Sequence, residues 1–338
     1  MSVNLDLTTI WAFIIAFAVF AYVVMDGFDL GIGILFPFAK SEVERDQMMD
    51  SVAPIWDGNE TWLVLGGAGL LAAFPLAYGI LLPALYLPLL LMLIALVFRG
   101  VAFEFRHKAR TSRWIWNHSF FLGSTFATIA QGLVLGAFVR GFRVEGTQFV
   151  GGAFDWFSLF SLFCALALVA GYALLGACWL IMKTEGDLQE WAYTAARRVL
   201  VLVVAATAVV SLWTPFLNPA IAERWFSWPN IALLSPVPLV TAALAIGLWT
   251  AIRNRRQALP FLISMGLFLL AYAGLAISLW PNVVPPEVTL WEAASPPATQ
   301  IFLLYGVAIL IPVTLAYTAY SYYVFRGKVR PGEGYHQP

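Results

Sequence analysis

The sequence predicts an all-α polytopic membrane protein with nine transmembrane helices, and three observations support this prediction. Of the 338 residues, 61% are hydrophobic and only 11% are charged, and the mean hydropathy is +0.81. Soluble domains carry about 25% charged residues. Apolar stretches of about 20 residues, the length that crosses a bilayer, recur along the whole chain. The basic residues also alternate between the two sides of these stretches.

Nine stretches have the length and hydropathy that a spanning helix needs. The first and the last are longer than a bilayer requires, so we expect them to tilt or to protrude into water. The loops between them are too short for a soluble domain, so residues 1–338 form a single integral membrane domain. The predicted helices cover about 8–37, 53–74, 78–98, 118–139, 157–182, 198–217, 232–252, 259–280 and 299–325.

The distribution of Lys and Arg predicts the orientation of the helices. Sixteen of the 19 basic residues fall in the loops and tail on one side, and only Arg140, Arg143 and Arg224 fall on the other. Because cytoplasmic loops are enriched in Lys and Arg, the N-terminus is predicted to be periplasmic and the C-terminus cytoplasmic. A miscounted helix would scramble this alternation, so the alternation also supports the count of nine.

Four acidic residues lie inside the first two predicted helices, where a charge is costly. Asp26 and Asp29 are three residues apart, and so are Asp57 and Glu60 in the stretch WDGNETW, so each pair shares one helical face. The predicted topology places all four about 6 to 18 Å from the cytoplasmic boundary. The loop between the two helices is short, so we expect the four carboxylates to converge.

Such a cluster predicts proton handling. Four carboxylates in a medium of low dielectric constant cannot all be ionised, so at least one holds a proton that it can pass on. Asn59 and the indole N–H groups of Trp56 and Trp62 could donate hydrogen bonds to an ionised member.

A structural role is the alternative for these acids. They would then only hold helices together, or pair with a basic group such as Arg99. Arg99 and Glu104 are predicted to lie at the cytoplasmic end of the third helix, and we include both as supporting residues. Asp46 and Asp50, in the loop before the second helix, are expected to be solvated.

The sequence offers little to hold a metal or a redox cofactor. His107 lies in a basic loop, His118 at the start of a predicted helix and His336 in the tail, so no two histidines are placed to face each other as axial haem ligands. The motifs CxxCH, GxGxxG and Walker A do not occur. We therefore expect no metal site and no nucleic-acid partner. If the protein serves a redox reaction, its cofactors are expected on another chain.

Four sequence blocks resemble subunit II of the cytochrome bd-type quinol oxidases. The similarity runs in order through the first four helices and returns from about residue 285 to the block YTAYSYYVFRGK, whereas residues 140–280 are less distinctive. The compact length is similar to that of the cyanide-insensitive branch of the family. The blocks are MDGFDLGIGILFPF, SVAPIWDGNETWLVLGGAGLLAAFP, VFRGVAFEFRHKAR and VTLWEAASP.

This resemblance implies an architecture and partners. The nine helices would form two four-helix bundles plus one peripheral helix in the bacterial inner membrane, beside a similar subunit I. Subunit I would hold the haem b and haem d-type groups and oxidise quinol, and the complex would reduce O2 to water. The resemblance also allows a structural quinone in this chain, which occurs in some members of the family, and a small single-helix accessory subunit.

The resemblance also implies roles for single residues. Asp26 and Asp57 would belong to a proton route from the cytoplasm, with Asp29 and Glu60 as near neighbours. Other members have Gln at position 60, which makes a titrating role there less secure than at position 57. Trp62 would lie near an oxygen access route. Two other classes compete with the oxidase subunit, namely a proton-coupled secondary transporter and a scaffold subunit with no proton role.

Overall fold

The computed structural model of the chain describes residues 6–109 and 111–332, and most of these residues are helical. The long helices are α1 (Leu7–Leu35), α3 (Trp56–Ala73), α4 (Pro75–Arg106), α5 (Arg113–Arg140), α6 (Leu159–Lys183), α7 (Gly186–Leu217), α10 (Pro236–Arg253), α11 (Leu259–Leu279) and α13 (Pro297–Val324). The short helices are α2 (Glu42–Asp50), α8 (Pro219–Phe226), α9 (Asn230–Leu234), α12 (Leu290–Ala293) and a 3-10 turn at Phe36–Phe38. Two antiparallel hairpins pair β1 (Val144–Glu145) with β2 (Gln148–Phe149), and β3 (Asn282–Val284) with β4 (Val288–Thr289).

Eight helices in the described part of the chain are long and apolar enough to cross a membrane. They correspond to eight of the nine predicted stretches. The remaining stretch, 53–74, folds as α3, a helix of 18 residues that begins with the polar segment WDGNET. This polar start makes α3 less apolar than the eight, although the helix itself is continuous.

The helix predicted at 78–98 is longer in the structure. As α4 it has 32 residues and ends at Arg106, two turns beyond the predicted end. The prediction ended the helix where the first charged residue interrupts the apolar run, but a charge does not interrupt the backbone hydrogen bonds of a helix. Arg99 therefore lies inside the helix, about two turns before its end, whereas Glu104 lies in the last turn.

Helix α1 lies at the centre of the fold and packs against α3, α5 and α6. Its closest approach is to α6, where a Cβ atom on Gly31 would lie 1.8 Å from the carbonyl oxygen of Tyr172. A similar approach joins α5 to α4, because a Cβ atom on Gly123 would lie 2.9 Å from the backbone nitrogen of Arg99. Small residues allow such close contact between helix backbones in a membrane, and these two contacts fix how α1 and α4 are rotated about their axes.

Helix α13 is the least buried of the long helices, and Gln300 is its one buried residue. Gln300 anchors the start of the helix in two ways. Its side-chain amide donates to the Ser295 carbonyl at 2.8 Å, and its backbone carbonyl accepts from the Trp11 indole at 3.1 Å. Beyond the other end, the Lys183 ammonium donates to the carbonyl oxygens of Phe325 and Gly327. The two ends of α13 are therefore tied to the rest of the protein by polar contacts.

Candidate functional site

Asp26 and Asp29 are fully buried because α1, which carries them, is surrounded by other helices. Their spacing of three residues puts both carboxylates on the side of α1 that faces α3 and α4. A buried carboxylate is retained only where a charge or hydrogen-bond donor meets it. That partner comes from α4.

Arg99 on α4 is the centre of the site and is also fully buried. Its Nη1 atom donates to Asp26 Oδ1 at 2.6 Å and to Glu60 Oε1 at 2.8 Å. Its Nη2 atom lies 3.6 Å from Asp29 Oδ2. One guanidinium thus collects carboxylates from α1 and α3, and we call Asp26, Asp29, Glu60 and Arg99 the Arg99 cluster.

Two aromatic rings hold the guanidinium in place. The Arg99 guanidinium carbon lies 5.8 Å from the Trp56 ring centre and 5.9 Å from that of Phe103, distances at which a cation is attracted to a ring face. The two rings also stack on each other with centres 4.8 Å apart. Trp56 therefore supports the cluster through its ring.

The Arg99 cluster contains three carboxylates and one cation. If every carboxylate were ionised, a net negative charge would be buried among helices, which is costly in a low dielectric. A proton held by one of the three carboxylates would lower that cost. Asp26 and Glu60 bind the same nitrogen of Arg99, so their oxygens are within about two hydrogen-bond lengths of each other.

Asn59 completes the cluster on the Asp29 side. Its Nδ2 atom donates to Asp29 Oδ2 at 2.8 Å and to the Met25 carbonyl at 3.3 Å. Its Oδ1 atom accepts a hydrogen bond of 2.9 Å from the hydroxyl of Tyr322 on α13. The expectation that Asn59 donates to a carboxylate thus agrees with its position, and the sequence offered no signal for Tyr322.

A second polar chain begins one turn before Asp26. Gln131 on α5 donates through Nε2 to the Tyr22 hydroxyl at 2.8 Å, and Gln131 Oε1 accepts from the Tyr172 hydroxyl at 2.7 Å. Tyr22 and Asp26 are four residues apart on α1 and so share a face. Polar groups therefore continue from the cluster toward α5 and α6.

The structure does not bring every predicted residue into the cluster. Asp57 is exposed on the surface of the chain, one turn before Glu60. Glu104 is also exposed and pairs with Lys108 at 3.9 Å. Trp62 is fully buried against Ala18, Ala21 and Tyr22, its ring meets Phe17 edge-on at 5.5 Å, and its indole N–H has no partner among the described residues.

A second charged network surrounds Arg106, and the expectation that Asp46 and Asp50 are merely solvated is corrected here. Arg106 has a fully buried side chain and donates to Asp46 Oδ1 at 2.5 Å and to Glu42 Oε2 at 3.0 Å. Asp50 pairs with His107 at 3.4 Å. The signal that could have found this network is the spacing of four residues between Glu42, Asp46 and Asp50, which gives α2 one acidic face.

Glu42 shows how these partners act on a carboxyl group outside the spanning helices. Burial acts to raise the pKa of Glu42, but the hydrogen bond from Arg45 and the charge of Arg106 outweigh it. The pKa of Glu42 therefore lies below its ordinary value. Glu42 is thus ionised at neutral pH and, through Arg106, ties α2 to α4.

The two described histidines do not fit a haem. His107 is engaged by Asp50, and the Nδ1 atom of His118 lies 2.8 Å from the Trp114 carbonyl on an exposed face of α5. His336 lies outside the described residues.

Comparison with known proteins supports the resemblance. Residues 7–325 match the family described as cytochrome bd terminal oxidase subunit II. The chain is 26% identical over 357 residues to "Cytochrome bd-I ubiquinol oxidase subunit 2" of Escherichia coli strain K12, which covers 95% of this chain and 94% of the relative. It is 26% identical over 334 residues to "Cytochrome bd ubiquinol oxidase subunit 2" of Bacillus subtilis strain 168, which covers 96% and 97%.

A solved structure has the same fold. The chain matches one in the structure of bd oxidase from Geobacillus thermodenitrificans with a TM-score of 0.75 and 17% identity, over 94% of this chain and 97% of the other. The family match spans nearly all of the described residues, and the two relatives match over 94% and 97% of their own lengths. The chain therefore belongs to the cytochrome bd terminal oxidase subunit II family.

Proposed function

We propose that this chain supports the haem-bearing subunit I of a quinol:oxygen oxidoreductase in the bacterial inner membrane and supplies part of its proton path. Family membership makes the chain a subunit of a terminal oxidase of aerobic respiration. The names of its relatives favour an oxidase over a proton-coupled transporter. Quinol and O2 are the substrates of the complex, and the catalytic haem b and haem d-type groups belong to subunit I.

The main observation in support of the proton path is the composition of the Arg99 cluster. A purely structural ion pair needs one carboxylate for one guanidinium, whereas Arg99 collects three. Exposure falls in steps along the proposed path, from Asp57 at the surface, through Glu60 with 24% of its side chain exposed, to the fully buried Asp26. This order supports a path that runs inward from Asp57.

Subunit I is proposed to cover the surface on which Asp57 lies. A carboxylate on a spanning helix does not face lipid, since intramembrane acids face a protein interior or a water-filled cavity. The neighbouring surface of α3 and α4 exposes large apolar side chains such as Val64, Val97 and Phe98. A protein partner would bury this apolar surface and shield Asp57 from lipid.

The topology completes the proposal. We propose nine spanning helices, with α3 as the ninth beside the eight that are apolar enough by composition. The basic residues support a periplasmic N-terminus and a cytoplasmic C-terminus. Helix contacts support one bundle of α1, α3, α4 and α5 and another of α6, α7, α10 and α11, with α13 as the peripheral helix.

Trp62 remains the residue proposed for oxygen access, and a structural quinone and a small single-helix subunit remain proposals.

The experiment separates proton transfer from assembly. Asp57→Asn and Glu60→Gln keep the shape of each side chain and remove its ability to hold a proton. In the purified complex, each is expected to slow O2 consumption at least about 10-fold, since a positioned acid or base typically contributes about 10²–10⁴-fold, while the haem absorbance per complex is unchanged. Glu104→Gln is the matched control outside the cluster. Loss of haem in either variant, at normal expression, would make these acids structural and contradict the proton path.

A further inference from the structure

A small polar cleft lies between α3 and α13, directly beside the Arg99 cluster. Its volume is about 20 Å³, and its lining includes Gly58, Asn59, Thr318, Ser321 and Tyr322. A cavity of about 10–15 Å³ holds one water molecule if two to four polar groups meet it. Two hydroxyl groups, a phenol and an amide meet that condition.

The Asn59 side chain forms the wall between this cleft and Asp29, and its orientation is forced. Asp29 Oδ2 and the Met25 carbonyl are both acceptors, so the amide nitrogen of Asn59 faces them. The amide oxygen then faces Tyr322, whose hydroxyl donates to it. The Asn59 side chain therefore both lines the cleft and donates a hydrogen bond to Asp29.

The other oxygen of Asp29 is unpartnered. Asp29 is fully buried, and its Oδ1 atom has no hydrogen-bond partner among the described residues. A buried carboxylate oxygen without a partner is costly, and a nearby water relieves that cost. The amide of Asn59 does not itself pass a proton, so water in the cleft reaches Asp29 only when the amide turns away.

Tyr322 controls this rotation of the Asn59 amide. Its hydroxyl holds the Asn59 oxygen, and its ring meets the Trp179 ring edge-on at 6.1 Å, which fixes the phenol from behind. A water in the cleft can take over the hydrogen bond from Tyr322 and release the amide. We propose that the α3–α13 cleft binds water and that Asn59, held by Tyr322, gates a second proton inlet to Asp29, parallel to the Asp57–Glu60 side. This inference rests on the proton path proposed above.

Parallel inlets predict a specific pattern in oxygen consumption by the assembled oxidase. Gly58→Ala with Thr318→Val closes the cleft without a clash, since a Cβ atom on Gly58 has its nearest neighbour, in Tyr317, at 3.8 Å. We expect this closed-cleft variant to lower the rate less than about 2-fold by itself. In the Asp57→Asn background, the same two changes are expected to lower it about 10-fold further, because coupled sites are not additive.

A second measurement does not depend on turnover. In the resting oxidase, the infrared band of protonated buried carboxyl groups shifts as deuterium replaces hydrogen. Tyr322→Phe keeps the ring and frees Asn59, so exchange is expected to be several-fold faster, and the closed-cleft variant several-fold slower. Tyr320→Phe, on the exposed side of α13, is the matched control and leaves the exchange unchanged.

The outcomes distinguish this inference from the proton path on which it rests. The second inlet is overturned if closing the cleft lowers the rate by the same factor in the original protein and in the Asp57→Asn variant. It is also overturned if the carboxyl exchange does not respond to Tyr322→Phe. Unchanged turnover in Asp57→Asn and Glu60→Gln overturns the proton path instead, whatever the exchange shows.

Discussion

Removing the cation of the Arg99 cluster is the most direct test of its electrostatics. Arg99→Met keeps an unbranched, flexible side chain but leaves Asp26 and Asp29, both fully buried, without a counter-charge. Breaking a buried ion pair by removing one partner costs about 3–5 kcal/mol. The cost here is expected at the lower end, about 3 kcal/mol, because the orphaned carboxylates can take up protons.

The assay is the half-life of the haem absorbance of the purified complex at a fixed, elevated temperature. A loss of about 3 kcal/mol shortens that half-life by up to about 100-fold, since about 1.4 kcal/mol corresponds to a factor of ten in rate. Adding Asp26→Asn to Arg99→Met removes one uncompensated acid and is expected to restore most of the half-life. Arg197→Met, on an exposed face of α7, is the control.

Two results would refute the reasoning. If Arg99→Met has the half-life of the original protein, the guanidinium does not compensate the buried acids. If Asp26→Asn alone is as damaging as Arg99→Met and the double variant is worse than either, the residues act through packing and not through charge balance.

Three further predictions follow from single contacts. Gly31→Ala is expected to prevent assembly of a haem-containing complex, because the new Cβ atom would lie 1.8 Å from the Tyr172 carbonyl oxygen, whereas Gly79→Ala, with open space around it, assembles normally in the same expression test. Glu42→Gln is expected to flatten the pH dependence of thermal stability. Because the pKa of Glu42 is lowered in the folded state, its ionised form stabilises the fold at pH values above the ordinary pKa of 4.5. This contribution is lost as the pH falls through the folded-state pKa. Lys183→Met is expected to release the segment that follows α13, since its ammonium holds the carbonyl oxygens of Phe325 and Gly327, and limited proteolysis of that segment would become faster.

The acid pairs of α1 and α3 were readable from the sequence because charges inside an apolar run stand out. The spacing of three residues correctly put Asp26 and Asp29 on one face, since helical periodicity depends on the backbone alone. The same spacing did not reveal that Glu60 turns inward to Arg99 while Asp57 remains exposed. That difference depends on where α4 lies relative to α3, which periodicity does not contain.

Arg99 shows the main limit of reasoning from hydropathy. The apolar run ends just before it, so the sequence placed Arg99 at a helix end, beside Glu104. The helix continues to Arg106, and the close approach of α5 at Gly123 places Arg99 inside the protein. Glu104, five residues later, lies on a different face of α4 and is exposed.

The sequence by itself determined a membrane protein, its apolar stretches, its family and the acids of α1 and α3, because composition, periodicity and motifs are local properties. Only the tertiary structure decided that one guanidinium collects three carboxylates, that Asn59 links them to Tyr322, and that α2 pairs with Arg106. These contacts join residues 30 to 263 positions apart. They depend on how far each helix is rotated and how closely it approaches its neighbours, which is settled by packing at positions such as Gly31 and Gly123.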